Sequence, residues 1–106
     1  MVSDYKLHKL EDLISKIEEV DKMVKLHSAN PSKFMLVQYQ AKKEKLLGYL
    51  IEELADVKLR SPFSFRIIML ALIKFYPELV DGKKEKAILK KDKHYSELKN
   101  LEAVLV

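Results

Sequence analysis

Six lysines crowd into residues 83–93: Lys83, Lys84, Lys86, Lys90, Lys91 and Lys93, against only Glu85 and Asp92. Ammonium groups at that density can engage phosphates by charge alone, giving salt-sensitive binding to nucleic acid or another polyanion. Sequence-specific readout asks for more, namely arginines on base edges or aromatics that stack on bases. Here Tyr95 is the sole aromatic nearby, and Arg60 and Arg66 lie outside the cluster. The segment therefore reads first as a solvated helix-and-loop face and second as a nucleic-acid or anion contact.

Other chemistries find less support. The histidines, His8, His27 and His94, have no partner histidine three or four residues away, and no Glu-x-x-His of the kind that builds metal sites in helical bundles occurs. Asp4 with His8, and Glu52 with Asp56, share helical faces, which makes two ligands at most. There is no Gly-x-Ser-x-Gly and no cysteine, so neither a serine nucleophile of that type nor a thiolate is indicated. Two glycines are too few for a phosphate-cradling loop of the usual form. No catalytic residue, metal ligand or cofactor is assigned, and an enzyme or ligand carrier would need a pocket assembled from scattered helices.

The elements that carry these residues are few and long. Only two glycines and three prolines punctuate 106 residues, which argues against a sandwich or barrel of short strands and for helices. In residues 7–27, Leu10, Leu13, Ile14, Ile17, Val20 and Val24 recur at three and four, placing one apolar stripe on a helix. Glu18 with Lys22, and Asp21 with Lys25, supply i, i+4 pairs with the acid first. Asn30-Pro31-Ser32 then signals a cap and a first helical turn, so a second helix is expected from Pro31. Its stripe runs through Leu36, Tyr39, Leu46, Leu47, Leu50, Ile51, Leu54 and Val57, interrupted by Lys43. Gly48, unfavourable in mid-helix, is expected where another helix crosses closely. So short a connection forces the two arms antiparallel.

Ser61-Pro62 repeats the cap-then-proline signal and opens a third helix, halted by Pro77. Within residues 62–76 only Ser64, Arg66 and Lys74 interrupt the apolar residues after Pro62, a composition expected of a helix enclosed on all sides. Asp81-Gly82 marks a turn, a short helix is expected around Ala87, Ile88 and Leu89, and Asp92 is placed to cap a last helix bearing Tyr95, Leu98, Leu101 and Leu105. The fold class is all-α: a single domain made of a long antiparallel helical hairpin (residues 1–57) and an apolar and basic C-terminal helical subdomain (residues 58–106) of two or three shorter helices, forming a bundle.

Charge follows the same division. Residues 1–57 carry 9 Lys against 10 acids, while residues 83–106 carry 7 Lys against 4, so the net +4 belongs to the second half. A hairpin offers limited area to cover a helix that is apolar all round. Phe63, Phe65, Ile68, Met69, Leu72, Phe75 and Tyr76 are therefore the expected interface, for a second copy in a two-fold homodimer or for another protein. The functional expectation is a non-catalytic interaction or oligomerisation module. The absence of cysteine and of a secretory pattern at the N-terminus fits a cytoplasmic protein. No apolar run approaches the roughly 20 residues that span a bilayer, so no membrane association is expected.

Overall fold

Ser3 turns the chain into the first helix: its side-chain oxygen accepts a hydrogen bond from the Lys6 N–H at 3.2 Å, and α1 (Asp4–His27) follows. The computed structural model describes residues 3–29, 33–79 and 94–105. Four α-helices occur among them: α1, α2 (Phe34–Leu54), α3 (Pro62–Phe75) and α4 (Tyr95–Leu105), with a 3-10 turn at Pro77–Leu79. The chain forms two compact units, Met1–Ala71 and Leu72–Val106, and the division falls inside α3.

In the first unit α1 and α2 pack against each other as an antiparallel hairpin. Leu10, Leu13, Ile17 and Val20 on α1 meet the buried Leu47, Leu50 and Leu54 on α2. Both rows alternate three- and four-residue steps, the spacing of a coiled-coil seam. With its 24 residues α1 is about 36 Å long, enough for the seam to run most of its length.

Polar contacts fix the hairpin at three levels. Near the start of α1, Glu53 of α2 accepts hydrogen bonds from the Lys6 and Lys9 ammonium groups, the latter at 2.8 Å. Midway, the Lys43 ammonium lies 2.8 Å from the Asp21 carboxylate, with both side chains almost covered (8% and 11% exposed). At the end of α1, the His27 ring stacks on Tyr39 with centroids 5.2 Å apart. Lys43 thus interrupts the apolar stripe because a carboxylate waits opposite it. Asp21, which the sequence pairs with Lys25, keeps that contact at 3.3 Å and adds the one across the helices.

Three expectations need correction: the bounds of the second helix, the role of Gly48 and the enclosure of α3. The second helix opens at Phe34, where Lys33 takes the N-cap position without a side-chain bond, and not at Pro31. The second helix ends at Leu54 and not at Val57, because Asp56 organises a turn: its carbonyl accepts the N–H groups of Leu59 and Arg60, and its Oδ1 accepts that of Lys58 at 2.9 Å. Val57 consequently projects into solvent. Gly48 is not a crossing point, since a Cβ built there meets nothing within 4 Å among the described residues. The third correction concerns α3, which is not enclosed along its length. The turn at Asn30-Pro31-Ser32, with the expected cap, lies outside the described residues, and so do Asp81, Gly82 and Asp92.

Candidate interaction surface

Ser61 and Ser64 build the start of α3. The Ser64 N–H donates to Ser61 Oγ at 3.2 Å, while the Ser61 N–H donates to Ser64 Oγ at 2.8 Å, a reciprocal arrangement that satisfies two otherwise orphaned donors. Ser64 Oγ also donates to the Ser61 carbonyl at 2.8 Å. With its hydroxyl fully engaged, Ser64 tolerates burial and sits on the covered side of the helix.

The helical period then distributes the apolar residues around the axis. Eleven residues, close to three helical turns, separate Ser64 from Phe75, so the two share a face, and both are buried. On the opposite side the large side chains stand open: Phe63 is 68% exposed, Phe65 51%, Met69 53% and Leu70 47%. Arg66 lies in their midst, three residues from Phe63 and Met69 and four from Leu70. A helix with a mean composition fit for burial is therefore half covered, and its open half is largely aromatic and aliphatic.

The residues expected to form an interface divide accordingly. Phe63, Phe65 and Met69 are exposed, Ile68, Leu72 and Tyr76 are half-buried, and Phe75 is buried at 3% exposure. Leu70 and Ile73 are exposed but were not among the expected positions. Arg66 is the signal that would have found Leu70. In a nearly all-apolar helix its charged residues mark the solvent side, and the neighbours of Arg66 at three and four residues are the ones laid bare. Ser64 misleads in the opposite sense, being polar yet inside.

Among the described residues, the titratable groups shifted from their ordinary values all belong to the hairpin's ion pairs. Burial pushes the Asp21 carboxyl up, but hydrogen bonds and charge from Lys43 and Lys25 together outweigh it and hold the group below its usual range. Glu53 is likewise lowered by its hydrogen bonds to Lys6 and Lys9, and Lys9 is raised in return by its bond to Glu53. His8 Nδ1 contacts the Asp4 carbonyl oxygen at 2.8 Å, away from that residue's carboxylate. No cluster of three or more His, Cys, Asp or Glu able to hold a metal ion occurs among the described residues. No helix among them is long and apolar enough to cross a membrane.

The basic cluster Lys83, Lys84, Lys86, Lys90, Lys91 and Lys93 lies outside the described residues. Against known proteins, the chain matches no family model, no curated protein and no solved structure.

Proposed function

We propose that this chain is a non-catalytic helical module that associates with a second copy of itself through the outward face of α3. The observation that supports it is the row of Phe63, Phe65, Met69 and Leu70, each close to half exposed or more, on successive turns of one helix. Scattered exposed hydrophobes are ordinary, whereas contiguous ones rimmed by charge mark binding surfaces. A two-fold dimer is the simplest way for one patch to cover itself, because the same residues then serve both partners.

Sedimentation velocity over a wide concentration range tests the proposal. The parent chain is expected to form a dimer, and the double substitution Phe65→Glu with Met69→Glu to yield a monomer. Because both residues point outward, the helical circular dichroism of that monomer should stay close to that of the parent, and its thermal midpoint should match that of the parent at concentrations low enough to dissociate the dimer. A parent chain that is monomeric at every concentration would overturn the proposal.

A further inference from the structure

Within the first unit, a groove of about 580 Å³ runs between the hairpin and the start of α3. Leu10 and Ile14 from α1, Leu54 from α2, and Phe63 and Ile67 from α3 form its walls. It falls within the range of roughly 300–1,000 Å³ typical of small-molecule sites, which are mainly apolar with a few placed polar groups.

The polar groups here carry a consistent sign. Lys58 and Arg60 reach the groove from the turn after α2, where the Asp56 carbonyl and carboxylate hold the backbone of residues 58–60 through three hydrogen bonds. Neither the Lys58 ammonium nor the Arg60 guanidinium meets a carboxylate within salt-bridge distance among the described residues. Glu11 on α1 is the one acid on the lining, leaving a balance of a single positive charge. The Ser64 hydroxyl is engaged in the helix cap both as donor and as acceptor, so the charged head of a ligand is left to Lys58 and Arg60.

We infer that this groove binds a small amphiphile with one carboxylate and an aliphatic or arylalkyl body, its chain along the leucine walls and its head on Arg60 and Lys58. A planar carboxylate suits the guanidinium fork, and the charge-assisted contact would orient a ligand that apolar walls alone would leave free to reverse. The site differs from the outward face of α3 in all but Phe63, so it stands whether or not the chain dimerises through that face.

Isothermal titration of the full chain with decanoate, decanol and decyltrimethylammonium, matched in chain length but differing in charge, provides the test. Decanoate is expected to saturate at one molecule per chain and to bind at least about tenfold more tightly than the cation. Lys58→Glu with Arg60→Glu, both on exposed side chains, should remove that preference without lowering the thermal midpoint. Ile14→Trp should block uptake by filling the trough. Equal affinity for all three amphiphiles, no saturable binding, or decanoate binding untouched by the charge reversal would each overturn the inference. Binding that appears only as a dimer dissociates would assign the groove to a second copy and overturn it too. Repeating the titration on the Phe65→Glu, Met69→Glu chain separates this result from the fate of the self-association proposal.

Discussion

The Asp21–Lys43 pair makes a demanding prediction about what holds the hairpin. At 2.8 Å and an effective dielectric near 20, the gross attraction between two unit charges is about 6 kcal/mol. Removing both groups from water cancels most of that gain, so the intact pair is expected to be roughly neutral beside an apolar pair of similar volume. Removing one partner is different, because the survivor keeps its desolvation cost. Such losses run at about 3–5 kcal/mol for fully buried pairs. Here Asp21 retains Lys25 at 3.3 Å and each side chain keeps a sliver of exposure, so the expected loss is about 2 kcal/mol for Asp21→Leu and about 2 kcal/mol for Lys43→Met. The double variant should lie within about 1 kcal/mol of the parent, giving a coupling energy near 3 kcal/mol, the upper end for contacting residues. Urea unfolding followed by circular dichroism measures all four corners of the cycle. Additive single effects, with a coupling below about 0.5 kcal/mol, would refute the reasoning. The pair also disfavours register slips: moving one arm by a heptad sets Lys43 level with Ile14 or Ser28 in place of Asp21.

The remaining predictions are more local. Gly48→Ala should stabilise the chain by about 0.5–1 kcal/mol, seen as a thermal midpoint raised by a few degrees, because the added methyl meets open space and the helix loses a flexible residue. Leu50→Ala should cost about 2–5 kcal/mol in urea unfolding, since that side chain is fully enclosed in the seam. Ser61→Ala removes the oxygen that accepts the Ser64 N–H and should cost about 1 kcal/mol, with helical signal lost first from α3. For acid titration the sign follows from the lowered carboxyls: Asp21 and Glu53 bind protons more readily unfolded than folded. Their contribution is complete above the unfolded values of 3.8 and 4.5 and is lost as pH falls through the lower folded ones. The urea midpoint should thus be level from neutrality to about pH 5 and decline below about pH 4, and the decline should be shallower in the Asp21→Leu, Lys43→Met chain.

Much of the hairpin was legible in the chain, since a seam is a one-dimensional pattern: Leu10, Leu13, Ile17 and Val20, and then Leu47, Leu50 and Leu54, recur at the helical period and can face only one way. The start of α3 was legible for a similar reason, as Ser61 and Pro62 act on their immediate neighbours. Where α2 ends was not, because the stripe continues to Val57 and the halt depends on the bonds that Asp56 makes to the following turn.

Tertiary structure decided what periodicity leaves open. Asp21 and Lys43 stand 22 positions apart, and only the pairing of two helices reveals that each answers the other's charge. Gly48 reads as a close approach in one dimension and as open surface in three. On α3, with apolar residues at nearly every position, composition states how much surface could be buried, but not which side is. In the fold Ser64 and Phe75 are covered, whereas Phe65, Met69 and Leu70 are bare. Local rules set the helices because backbone hydrogen bonds and caps act over a few residues, while the surfaces left for function emerge only once those helices have met.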